Sequence, residues 1–289
     1  VRAALRPPVS RRTACCAGMA AVAALLGACS SLRAPATSGS GSDAGSGSAW
    51  AGARVVRDGR LVVRGTVGTD RLRTVAAETR AAIARVREVW GTSVLSGRVV
   101  IEVPRDRAEF RARGGSAEGG AQIAATTTPD DRVVLAPAVF SAVTAQGRVV
   151  VLTHELTHLA LHQATLTGVA RWIIEGSAEY TAYHASRLGL AQLAPEVATA
   201  VRAGRAPTGP PADSDFTARP AAAYQEAFVW CRFLAHRFGQ ARFVAFVRAA
   251  DARAPAAFAT TFGVGPGALR AAYTQFLRTR LGSAGTDGR

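Results

Sequence analysis

"VVVLTHELTHLALH", residues 149–162, sets two histidines four residues apart with a glutamate beside the first, inside an otherwise apolar run. The chain has five histidines, and three of them fall in this stretch. On a helix, residues four apart lie about 40° apart around the axis, so His154 and His158 project from one face and can converge on one ion. Glu155 points to the flank of that face, which suits a base acting on a metal-bound water rather than a ligand. Zinc held by two imidazoles and a carboxylate keeps a fourth position open, where a water is acidified and a carbonyl polarised.

A third ligand is needed. His162 extends the row by another turn, roughly 6 Å along the axis from His158, and a rigid helix cannot bring all three rings to one ion. It therefore reads as a cleft-wall or capping residue. Sixteen residues separate His158 from Glu175, which lies in "ARWIIEGSAEYTAYH". Glu175 and Glu179 share a helical face on a largely apolar segment. Taken alone, that pair reads as two solvated glutamates. Beside "HELTH", Glu175 closes a zinc site and Glu179 accepts the outer ring N–H of a ligand histidine, His154, fixing its tautomer. Gly176 permits a close approach between the two helices.

"HELTH…WIIEGSAEY" resembles the gluzincin metallopeptidases, the group containing thermolysin and the zinc aminopeptidases, and especially the small bacterial peptidase MA-like domains. The likeness covers mainly residues 147 to 182, and more weakly the C-terminal helices. It implies zinc at His154, His158 and Glu175, with Glu155 as general base in peptide hydrolysis. The interval from the second histidine to the ligand glutamate is a little shorter than in thermolysin or the aminopeptidases. The Gly-x-Met-x-Asn signature of aminopeptidases is absent, and "HLALHQATLTG" lacks the further histidine and glycine of metzincins. Gluzincins commonly use a Tyr or His donor for the tetrahedral intermediate. Tyr224, in "PAAAYQEAFVW", is the candidate, with Tyr180 and Tyr183 as competitors.

The start of the chain points to export. Arg2, Arg6, Arg11 and Arg12 precede the apolar "ACCAGMAAVAALLGAC", which ends at Cys29 and runs into a Ser/Gly tract. A charged start, a short apolar core and small residues describe a signal peptide, and that core is too short for a permanent span of roughly 20 residues. "LGAC" resembles the lipobox of bacterial lipoproteins, which implies a signal over 1–28, lipid on Cys29, and anchoring to the outer face of the cytoplasmic membrane. An ordinary secretory signal is the alternative. Residues 29–50 then form a flexible Ser/Gly-rich linker. Cys15 and Cys16 leave with the signal, so Cys231 remains as the one thiol of the mature domain, in an apolar helical pattern that makes it a buried small hydrophobe.

All 35 basic residues are arginines, and the formal charge of +15 falls to +11 once residues 1–28 are removed. Those arginines are scattered, without a dense run or interleaved aromatics, so no nucleic acid is expected as a partner. Anionic lipid heads or envelope polymers are the more economical attraction for an exported domain.

Between 51 and 146 the pattern is mixed. "ARVVRDGRLVVRG" alternates around Asp58-Gly59 and reads as a hairpin. "DRLRTVAAETRAAIARVREVWG" has helical spacing, with Asp70 as N-cap and Gly91 as stop. "GRVVIEVP", "AQIAATTT" and "RVVLAP" read as strands, and the second offers an edge against which an extended peptide can pair. Helices are expected at about 148–164, 170–188, 194–203, 220–238, 240–252 and 266–281, with "RAPTGPPADSDFTARP" as a long loop. His184 and His236 fall off the ligand face, and Trp172 and Trp230 read as core aromatics.

The expected architecture is α+β and zincin-like: a sheet-containing subdomain over 51–146, a helical zinc-binding catalytic subdomain over 147–282 with the active-site cleft between them, and a disordered tail over 283–289. The leading function is a zinc metallopeptidase acting on peptide or protein substrates. The alternatives are a non-catalytic zinc-stabilised cell-surface binding domain and a hydrolase of a non-protein amide.

Overall fold

The computed structural model describes residues 50–115 and 123–282. The expected signal peptide, Cys29, the linker up to its last residue and the 283–289 tail lie outside the described residues.

Strands β1 (Arg54–Asp58) and β2 (Leu61–Gly65) form the hairpin around Asp58-Gly59. Helix α1 (Thr69–Trp90) follows, then β3 (Val99–Val103), α2 (Arg107–Ala112), β4 (Ala125–Thr127) and β5 (Arg132–Leu135). Helices α3 (Val139–Ala142), α4 (Ala145–Ala160), α5 (Arg171–Tyr183), α6 (Leu190–Leu193), α7 (Pro195–Arg202) and α8 (Asp215–Ala218) come next. The series closes with α9 (Pro220–Phe238), α10 (Gln240–Asp251), α11 (Ala257–Phe262) and α12 (Arg270–Leu281). Among the described residues the sheet has five strands in the order β1-β2-β3-β5-β4. Its central pairs β2/β3 and β3/β5 are parallel, while the outer pairs β1/β2 and β4/β5 are antiparallel. This is the expected α+β arrangement, with a mixed sheet first and helices after it.

The alternation of side chains along the strands decides what each face buries. Leu61 and Val63, Val99, Ile101 and Val103, and Val133 and Leu135 point to one face and join a core that continues without a break into the helices. Arg64, Glu102 and Val134 point to the other. There Glu102 is fully buried and takes ion pairs from Arg64, Arg113 and Arg132. Burial alone would raise its pKa, but the three guanidiniums hold it below the usual carboxylate value.

Helix α1 presents Leu72, Val75, Ala82, Val86 and Val89 to the core at helical spacing, each worth about 1–3 kcal/mol when buried. It stops at Gly91, whose φ of 92° suits glycine. Its N-cap is Gly68 rather than Asp70, which sits inside the first turn and acts there on the helix dipole. Three polar contacts tie α1 to the helical half. Arg148 of α4 pairs with Glu78 at 2.5 Å, Trp90 Nε1 donates to Thr181 Oγ1 of α5 at 2.9 Å, and Arg248 of α10 donates to the Trp90 carbonyl at 2.7 Å.

Several boundaries differ from expectation. Helix α4 ends at Ala160 because His162 adopts a left-handed conformation (φ 53°, ψ 37°), and α5 ends at Tyr183. The first turn expected at 266 is a 3₁₀ turn, Pro266–Leu269, ahead of α12. The long loop after α7 contains the single turn α8.

Candidate metal centre

Helix α4 starts where the Thr144 hydroxyl accepts from the Gly147 backbone N–H, and it is buried along most of its length. His154 and His158 project from one face as their spacing requires. Their Nε2 atoms lie 3.0 Å apart, with the rings nearly perpendicular. Glu175 reaches the same point from α5, its Oε2 lying 3.5 Å from His154 Nε2 and 3.7 Å from His158 Nε2. These three buried residues could hold a metal ion. Glu175 Oε2 is buried and accepts no hydrogen bond among the described residues, a costly state for a carboxylate oxygen unless a cation or proton donor stands before it. Two imidazole nitrogens and one carboxylate oxygen make the donor set that suits zinc.

Electrostatics favour ionised Glu175. Burial pushes against charge, yet the two adjoining imidazoles bring its pKa down to about 2. For His158 burial likewise opposes charge, but the Glu175 and Glu155 carboxylates raise its pKa to about 9. Protons and a cation therefore compete for the same atoms.

The outer nitrogens differ in how they are held. His158 Nδ1 meets Gln163 Oε1 at 3.0 Å, and Gln163 Nε2 donates in turn to Asp251 Oδ2 of α10 at 3.1 Å. Because a carboxylate can only accept, Asp251 fixes the amide with its N–H₂ outward and its oxygen toward the histidine. In its neutral form His158 then donates from Nδ1 and keeps its Nε2 lone pair for the site. His154 Nδ1 faces Glu179 Oε1 at 3.7 Å, too long for the expected hydrogen bond, and finds no other acceptor among the described residues. Glu179 itself is buried, and desolvation together with neighbouring Glu175 raises its pKa well above the usual value.

Glu155 is held from the sheet. Thr127, at the end of the edge strand β4, contacts its Oε2 at 2.7 Å and its carbonyl oxygen at 3.0 Å. Thr127 and Val133 pair in register, so this hydroxyl lies on the core face against α4. Glu155 takes no place among the three convergent donors, consistent with its flank position on the helix.

Tyr224 is buried in α9 and reaches this neighbourhood through Arg171. The guanidinium lies 3.4 Å from the Tyr224 hydroxyl and 3.8 Å from Glu175 Oε1. The Arg171 backbone N–H donates to Asp213 at 2.8 Å, and its guanidinium covers the Phe216 ring, so the long loop is fastened to the start of α5. Tyr180 is engaged elsewhere, with Gln240 at 3.1 Å, while burial first and Glu179 second push the Tyr183 pKa well above the ordinary value.

Gly176 does permit a close approach, but to α9 rather than α4. A β-carbon there would meet Cys231 Sγ at 2.7 Å and the Ala227 carbonyl at 2.8 Å. Cys231 is fully buried and burial pushes its thiol pKa up, as suits an inert packing residue. His162 lies at the rim, largely exposed and 4.0 Å from Asp131. His184 faces Glu88 on the far side of α5, and His236 lies beside Arg280. Trp172 and Trp230 are core aromatics in edge contact.

Sequence reasoning missed Thr127, Gln163, Arg171 and Asp251. Gln163 came nearest to a local signal, as a buriable amide just past the helix that carries His154 and His158, but nothing along the chain aims it at either ring. Comparison with protein-family models and with curated protein sequences finds no match.

Proposed function

We propose that the chain is a gluzincin-type, zincin-like zinc metallopeptidase. The observation that supports this best is the convergence of His154, His158 and Glu175 around an unpartnered carboxylate oxygen, with Glu155 on the flank of the same helix. A zinc ion held by these three would lower the pKa of a water to about 7 and polarise an adjacent carbonyl. Glu155 takes the proton of the attacking water and returns it to the leaving amine. Thr127 holds one oxygen of that carboxylate, so the base is oriented before substrate arrives. The Gln163–Asp251 pair keeps His158 in the tautomer that ligation needs. Tyr224 is the donor to the developing oxyanion, favoured over Tyr180 and Tyr183 by its link through Arg171 to Glu175.

The lipobox-like "LGAC" ending at Cys29 supports a lipid anchor that places the enzyme on the outer face of the cytoplasmic membrane, acting on peptide or protein substrates. The test is metal content and peptide hydrolysis of the purified protein, beside His158→Ala and Glu155→Gln. One zinc per chain, lost in the histidine variant and kept in the glutamine variant, with cleavage abolished in both, is the expected outcome. Zinc without cleavage of a broad peptide library would favour a non-catalytic binding domain, and absence of zinc would refute the site. Tyr224→Phe should lower kcat on the order of 100-fold with zinc retained.

A further inference from the structure

Away from the metal centre, α9 and α12 enclose a cavity of about 370 Å³ with the segment that leads into α6. Arg232 lies eight residues beyond Tyr224 on α9, about 12 Å along the helix, so this cavity is separate from the site described above. Its lining combines the apolar Leu188, Leu190 and Phe276 with the polar Arg232, His236, Thr279 and Arg280.

Arg232 is unlike most other half-buried arginines of this protein. Arg64, Arg113 and Arg132 share Glu102, Arg148 has Glu78, and Arg87 and Arg248 donate to backbone carbonyls. Among the described residues Arg232 contacts the Phe228 ring at 5.9 Å and pairs with no oxygen. Its pKa is lowered, first by burial and then by the facing charge of Arg280. Arg280 in turn lies 3.5 Å from His236 Nε2, a ring nitrogen rather than a carboxylate, so the contact orients the guanidinium without an anion to cancel its charge. Thr279 accepts from Gln275 at 3.4 Å, which leaves its hydroxyl proton able to donate. Two like charges thus line one cavity, Arg232 half-buried and Arg280 exposed, with donors to spare, an arrangement that a bound anion would relieve.

We infer that this cavity binds a small phosphate monoester with a short apolar substituent, the phosphate between Arg232 and Arg280 and the substituent against Leu188, Leu190 and Phe276. A dianion balances the two guanidiniums, whereas a monocarboxylate leaves one charge uncompensated. The phosphate oxygens also suit the guanidinium fork and the Thr279 hydroxyl. The volume lies within the range of small-ligand sites.

Calorimetric titration of the full-length protein with phenyl phosphate, inorganic phosphate and benzoate tests the assignment. Phenyl phosphate should bind most tightly, inorganic phosphate less tightly for want of the apolar contact, and benzoate least. Arg232→Gln and Arg280→Gln should each weaken phenyl phosphate at least about tenfold, and Thr279→Val by a smaller factor. No detectable binding of phenyl phosphate, an affinity for benzoate equal to it, or binding undiminished in both arginine variants would overturn the inference. The ranking on the wild-type protein decides the matter even where an arginine variant fails to fold.

Discussion

Replacing Gln163 by leucine removes the acceptor of the His158 Nδ1 proton while roughly keeping side-chain volume. That bond is 3.0 Å long, and His158 is only 8% exposed, so water cannot readily replace the lost oxygen. An unsatisfied buried donor costs about 1–3 kcal/mol. A bound cation makes the imidazole N–H more acidic and the bond stronger, so much of this cost falls on the loaded state. A loss of ~1–2 kcal/mol in binding lowers zinc affinity roughly five- to thirtyfold, within the range expected for partners of metal-ligating histidines. Competition with a chromogenic chelator measures it directly. Asp251→Asn should give an intermediate loss, because Asp251 fixes which way the Gln163 amide points. A folded Gln163→Leu protein that binds zinc within about twofold of wild type would refute the reasoning.

Thr127→Val should keep zinc and fold but lower kcat by about tenfold with little change in KM, since only the orientation of Glu155 is lost; an unchanged kcat would show that Thr127 does not position the base. Gly176→Ala drives a β-carbon into Cys231 and the Ala227 backbone and should cost about 1–3 kcal/mol in urea denaturation, so an unshifted midpoint would contradict the helix spacing. Glu102 has a folded-state pKa below its ordinary 4.5, so the unfolded chain binds more protons in the window between the two. Its contribution is therefore present above about pH 4.5 and lost as pH falls through the folded value. Glu102→Gln should be less stable at neutral pH and show a shallower loss on acidification, and an identical pH slope in the two proteins would exclude Glu102 as its source.

The group that could hold a metal ion was legible because each of its members carries a local signal. His154 and His158 declare themselves by helical spacing, and Glu175 by an apolar helix that carries glutamates on one face. The hairpin at Asp58-Gly59 and the stop at Gly91 follow from turn chemistry in the same way. Gln163 was not legible, since its approach to His158 depends on the left-handed turn at His162, a conformation that histidine adopts under tertiary constraint. Thr127 and Asp251 reach the site only through packing of the sheet edge and α10 against α4, which no spacing along the chain encodes. The strand order, with β5 beside β3 and β4 outside it, is likewise a matter of long-range pairing. The short helices α2, α3, α6, α8 and α11 fall below the length at which periodicity is readable. Glu179 marks the opposite limit: its face was read correctly, but 3.7 Å separates proximity from a hydrogen bond.

Helix α1 contributes no atom to the metal centre, yet it is fastened to α4, α5 and α10, the elements that carry the histidines, Glu175 and Asp251. A strut outside the motif therefore braces the two helices from which the candidate metal-holding residues project. Transplanting the α4–α5 segment into another scaffold would carry "HELTH" and its glutamate but leave that strut behind. In this protein the motif leans on a brace beyond itself, the helix laid down about sixty residues earlier, so a transplant should include it.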